Sequence, residues 1–120
     1  MGNTNTLSFS TAKDTAQNFL SRSIIFPSVN TLMGAVIIVN MTGSEGTGGG
    51  VTYMATLHVS ERFGNVVSVV NSDTSNGITG FSISWSYDGS YLKFTPTYTA
   101  SSNAFSSAWN YIILTGAFSS

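Results

Sequence analysis

Phe81-Ser82-Ile83-Ser84-Trp85-Ser86-Tyr87-Asp88-Gly89-Ser90-Tyr91-Leu92-Lys93-Phe94-Thr95 decides the fold. From Phe81 to Tyr87 every odd position is large and apolar and every even position is serine, the period of two of a half-buried β-strand. Asp88-Gly89 is the preferred dipeptide of a two-residue hairpin turn. A turn there pairs Tyr87 with Ser90 and sets Trp85 opposite Leu92 and Ile83 opposite Phe94 on one face. Ser84 then meets Lys93 and Ser82 meets Thr95 on the other. Pro96 has no N–H to give a ladder, so the second strand should end there or run on as an edge.

The same reading extends outward. Val51, Tyr53, Ala55, Leu57 and Val59 alternate with Thr52, Met54, Thr56, His58 and Ser60, and Phe63-Gly64-Asn65 turns the chain into Val66-Val67-Ser68-Val69-Val70. Gly34 to Val39 is continuously apolar and suits a central strand buried on both sides. Trp109 to Leu114 gives a last strand, with apolar residues recurring as far as Phe118, Ser23-Ile24-Ile25-Phe26 is another closed by Pro27, and Leu7-Ser8-Phe9 is a short candidate. Thr11-Ala12-Lys13-Asp14 has the spacing of a capping box before Ala16-Gln17-Asn18, and equally suits a turn or an extended arm. Gly43 to Gly50 holds five glycines in eight residues and is expected to be a mobile loop, as is the Ser/Ala-rich stretch from Thr99 to Ser107. Seven or eight strands at this spacing predict an all-β fold, a jelly-roll-like antiparallel β-sandwich. Its inner face should hold Ile83, Trp85, Leu92 and Phe94, with at most one short helix before residue 23.

Composition excludes several functions. The 120 residues carry four Lys/Arg and five Asp/Glu, so there is no basic footprint for nucleic acid. Ser, Thr and Asn supply 45 of the 120 residues. An aromatic content of 12% speaks against a disordered chain. Without cysteine there is no disulfide framework, zinc ribbon or thiol nucleophile. The opening residues have no basic or apolar signal region, although Gly2 and Thr6 fit the loose myristoylation pattern. The longest apolar run, Ala35 to Val39, is far shorter than the roughly 20 residues that span a bilayer. No membrane contact is expected.

Chemistry-bearing residues are sparse. His58 is the one histidine, on the polar side of its strand, with no nucleophile elbow to serve. Glu45, Glu61, Asp73 and Asp88 fall in or beside expected turns and not as a facing pair. Asn71 to Gly77 is similar to a calcium loop but lacks the glycine and glutamate such a loop needs. The glycine-rich loop ends on Val51 where a phosphate loop needs lysine. No catalytic residue, metal ligand or cofactor is therefore expected, and the chain is not expected to be an enzyme. By alternation Trp85 faces the core, while Tyr91 falls on the opposite face beside Lys93, free to serve an interface.

The strand spacing resembles the small β-sandwich proteins of tailed-bacteriophage virions, of the capsid decoration (cement) and tail-fibre tip types. Gly34 to Val39, Thr52-Tyr53-Met54-Ala55 leading to Glu61-Arg62, the Tyr87-Asp88-Gly89-Ser90 hairpin and Trp109-Asn110-Tyr111-Ile112 carry the resemblance, over roughly residues 24–118. It implies a jelly-roll fold, self-association, and attachment to a major capsid or other virion protein. These 120 residues hold no repetitive shaft, which favours capsid decoration; the alternative is a carbohydrate- or receptor-binding module of a tail appendage. Low charge leaves strand edges open to assembly.

Residues 1–22 are expected to form an N-terminal arm or edge segment, and residues 23–120 the sandwich. So polar a segment cannot by itself offset about 1–2 kcal/mol of backbone entropy per residue. Phe9, Phe19 and Leu20 are therefore expected to anchor it on a neighbouring subunit or shell, each worth roughly 1.5–3 kcal/mol if buried.

Overall fold

In a computed structural model, which describes residues 5–26, 34–61 and 63–115, eight strands and one helical turn follow in order. They are β1 (Asn5–Thr11), β2 (Gln17–Ser21), α1 (Arg22–Ile25), β3 (Ala35–Ser44), β4 (Val51–Ser60), β5 (Val66–Asn76), β6 (Ser82–Tyr87), β7 (Tyr91–Thr97) and β8 (Phe105–Thr115). A five-stranded sheet in the order β1-β8-β3-β4-β5 packs on a three-stranded sheet in the order β2-β7-β6. Every pairing is antiparallel. β1 beside β8 and β2 beside β7, one pair in each sheet, gives the jelly-roll-like wrapping. The β3–β4–β5 meander stays in one sheet, which makes the halves unequal.

The core is aromatic. Trp109 is centred on the inner face of β8, with ring centroids 4.7 Å from Phe94, 5.0 Å from Phe19 and 5.5 Å from Trp85. Its Nε1–H donates to Ser107 Oγ at 2.9 Å, so the indole is buried without an orphaned donor. β4 keeps its alternation, with Val51, Tyr53, Ala55, Leu57 and Val59 all inward and buried.

The deciding hairpin forms with a shifted register. Tyr87 pairs with Leu92, Trp85 with Phe94 and Ile83 with Pro96. The turn lies one residue later than expected. Asp88 stands at its first corner, accepting from the N–H groups of Ser90 and Tyr91, and Gly89 takes a φ of 92°. Asp88 thus prefers to cap the turn than to sit inside it. The strand-to-strand shift is two residues, an even number, so every side chain stays on its expected face. Leu92 and Phe94 are buried, and Ile83 and Trp85 are half-buried against the same core. β7 runs on through Pro96. The Pro96 carbonyl accepts from Asp14 N–H at 2.9 Å, so the proline nitrogen also points away from β6 and the missing donor costs no ladder bond.

Other expectations are corrected. Thr11 to Asn18 is not a helix: Asp14 adopts a left-handed φ of 60°, turning β1 into β2. The one helical turn lies at Arg22–Ile25, where β-branched residues suggested a strand. It places Ile25 and Phe26 in the core. β3 is central but alternates, with Val36 and Ile38 only half-buried on the outer side. Asp73 lies within β5, opposite Met54, and not in a turn. β8 starts at Phe105, inside the expected loop; Pro27 and Phe118 lie outside the described residues.

The glycine-rich loop is not left loose. Glu45 is 1% exposed. Its carboxylate accepts from Thr47 Oγ1 at 2.7 Å, and its carbonyl accepts from Asn103 Nδ2 at 3.1 Å. The Tyr98 hydroxyl donates in turn to the Asn103 carbonyl. Hydrogen bonds from Thr47 and Ser101 hold the Glu45 carboxyl below the usual range despite burial. Gly43 is required where β3 meets β8, because a Cβ there would strike the Phe105 ring.

The N-terminal segment belongs to the sandwich. β1 pairs with β8 over seven residues and β2 pairs with β7, so both are edge strands of this chain. Phe19 is 6% and Leu20 2% exposed, in the chain's own core, and so neither is a free anchor for a neighbour. A β-bulge at Phe19 lets the two consecutive residues both point inward. Phe9 packs partly buried on Phe94 and Phe19, at 5.6 and 6.0 Å between centroids.

Candidate binding groove

Three strands cannot cover five. On the β1/β2 side the sheets are closed by Phe9 and Phe19. On the other side β6 comes up against β5, yet Ser72, Thr74 and Asn76 on the β5 inner face stay exposed. The result is a groove of about 470 Å³ lined by Tyr53, Val69, Ser72, Thr74, Asn76, Phe81, Ser82 and Ile83.

Register explains the lining. Ala55, Tyr53 and Val51 on the inner face of β4 lie opposite Ser72, Thr74 and Asn76, which therefore face inward too. A bulge at Val70 then shifts the pattern, so that Val69 and Val67 take up the inner face toward the other end of β5. Tyr53 forms the floor. Its hydroxyl accepts from Trp85 Nε1–H at 3.0 Å, leaving its own proton for another acceptor. Burial pushes the Tyr53 phenol up from its ordinary value, so it stays protonated at neutral pH. Phe81 forms one wall, its ring 5.3 Å from Phe105. Asn76 holds the end of the groove by accepting from Ile78 N–H at 2.7 Å.

The β6 edge adds backbone groups. Asp88 N–H bonds the Tyr91 carbonyl, so by alternation Ile83 and Trp85 turn their N–H and C=O groups away from β7, toward the open side. Aromatic faces, hydroxyls, an amide and free backbone groups, with no charge among the described lining residues, make a surface suited to a neutral, hydroxyl-rich ligand.

The expected chemistry-bearing residues lie elsewhere. His58 is exposed on the outer face of β4, between Val36 and Ser68. Glu61 is held by Arg22, with Nη2 at 2.8 Å and Nε at 2.9 Å, and by the Tyr87 hydroxyl at 2.5 Å. Partial burial opposes its charge, but the bonds from Arg22 and Tyr87 prevail and keep its carboxyl below the usual range. This clasp joins α1, the end of β4 and β6. Asp88 is lowered to about 2 by Lys93, whose Nζ lies 2.9 Å away, and by the turn N–H groups. Among the described residues no cluster of three or more His, Asp or Glu could hold a metal ion. Tyr91 is 41% exposed on the outer face of the three-stranded sheet, away from the groove.

No protein-family model and no curated protein matches the chain. Among solved structures it is similar to the tailspike protein of the Acinetobacter phage vB_ApiP_P1, with a TM-score of 0.50 and 14% sequence identity. The likeness covers 96% of this chain and 22% of that one. It extends through nearly the whole sandwich, and what it shows is a shared all-β fold.

Proposed function

We propose that the chain is a non-enzymatic structural module of a phage virion, carried on a tail appendage, with the β5/β6 groove as its contact for a neutral saccharide. The carrying observation is the fold likeness to a part of a tailspike protein, across 96% of this chain. The groove supports the ligand class: Tyr53 and Phe81 supply aromatic faces, and Ser72, Thr74, Asn76 and Ser82 supply uncharged hydrogen-bonding groups. The non-enzymatic reading draws on the carboxylates, since Glu45, Glu61 and Asp88 are each engaged in their own loop, clasp or turn. Capsid decoration is the second reading, favoured by the chain's low charge.

Immunogold labelling of intact virions tests the placement. Label confined to the tail supports the proposal, label spread over the head supports capsid decoration, and unlabelled virions contradict both. Binding of virion-derived or purified protein to host-surface polysaccharide tests the groove. Phe81→Ala should abolish it and Tyr91→Ala should spare it. The opposite pattern would move the contact to the outer face of the three-stranded sheet.

A further inference from the structure

We infer that the outer face of the five-stranded sheet is a self-association surface, and that its occupant is a second copy of this chain packed face to face. Among the mostly uncharged polar residues that look outward from its central strands stands a group of large apolar ones. Val36 and Ile38 on β3, Met54 on β4, and Ile112 and Leu114 on β8 form one strip, because Ile38 pairs with Ile112 on one side and Met54 stands diagonal to it on the other. Met54 is 52% and Leu114 49% exposed.

Three observations select a second copy as the partner. The face is almost uncharged: among the described residues Asp73 is its one carboxylate, and Ser, Thr and Asn surround the strip. With Asp73 and His58 as the titratable side chains named on it, such a face carries little repulsion against itself and offers little to a strongly acidic or basic partner. It also presents both halves of a self-complementary contact. Met54 and Leu114 protrude, and Ile38 is flanked by two hollows, of about 320 Å³ toward Thr56 and Asn71 and about 200 Å³ toward Asn110 and Ile112. A two-fold interface requires knob and hollow on one patch. The size also fits. The sheet has five strands, which at about 4.8 Å spacing and about ten residues each cover on the order of 800 Å², the area each partner contributes to a standard stable interface.

Sedimentation equilibrium of the full chain tests this. The wild type should be a dimer that persists at about 1 M salt, where charged contacts are screened. Met54→Lys and Leu114→Lys, both at exposed positions, should each weaken the dimer on the order of 30-fold or more, the loss seen at an interface hot spot. Each should keep a β-type circular dichroism spectrum. Ser84→Lys, on the outer face of the three-stranded sheet, should leave the dimer unchanged. A wild-type chain that stays monomeric at about 100 μM overturns the inference, even if Met54→Lys then blocks binding to a different virion protein. A dimer that survives both lysine variants overturns it too, by placing the contact elsewhere.

Discussion

The two sides of this sandwich are built from the same kind of hairpin-linked strands and end differently. Where β1 and β2 meet, Phe9 and Phe19 bring rings onto Phe94 and Trp109 and seal the two sheets together. Where β5 and β6 meet, the inner face of β5 offers Ser72, Thr74 and Asn76, and the sheets stay parted over a groove. Two phenylalanines on one side and three short polar residues on the other make the difference. An aromatic ring buries 150–250 Å², whereas a serine or threonine hydroxyl resists burial without a partner. The closed side holds the fold, and the open side leaves the groove exposed.

The largest break comes from the closed side. Deleting residues 1–10 removes most of β1 and exposes the β8 edge and Phe19, and should abolish cooperative unfolding in a thermal melt. Phe19→Ala should cost about 3–5 kcal/mol, as for other buried aromatics, read as a lower denaturant midpoint at unchanged slope. If the deleted chain instead melts like the full chain, β1 carries no stability and the contrast between the sides fails.

Trp85→Phe should cost about 1 kcal/mol, because it keeps a ring against Trp109 but removes the N–H that bonds the Tyr53 hydroxyl. On the open side, Thr74→Ala should change stability by less than about 0.5 kcal/mol and still reduce saccharide binding. The acid limb of stability should come from Glu45, Glu61 and Asp88. All three carboxyls are lowered in the folded chain, so their contribution is present above the ordinary carboxylate range and lost as pH falls through the folded values. Glu61→Gln should therefore lower the melting temperature at pH 7 more than at pH 3, with the two melting curves converging in acid.

Much of this contrast was legible in the sequence. Strict alternation gave β4, β6 and β7 and their faces, since period two survives any even shift of register. What was hidden lay at bulges and long-range contacts. The bulge at Phe19 breaks the alternation of β2, so two adjacent core residues looked like anchors on a tail. The bulge at Val70 breaks β5, and its polar half looked like a turn. Arg22 bonds Glu61 across 39 residues, and no local preference announces that the chain coils into a helical turn there instead of extending. Of the groove, Tyr53 was legible as an inward residue of β4. Phe81, Thr74 and Asn76 were not, because their meeting depends on one sheet having two strands more than the other.

Native-state hydrogen exchange followed by NMR tests the closed-and-open account most directly. The account predicts that β1 amides facing β8 exchange with the core amides of β8, through global unfolding. The amides of Ile83 and Trp85, turned toward the groove, should exchange orders of magnitude faster. Fast exchange throughout residues 5–11, with Ile83 and Trp85 protected, would contradict it.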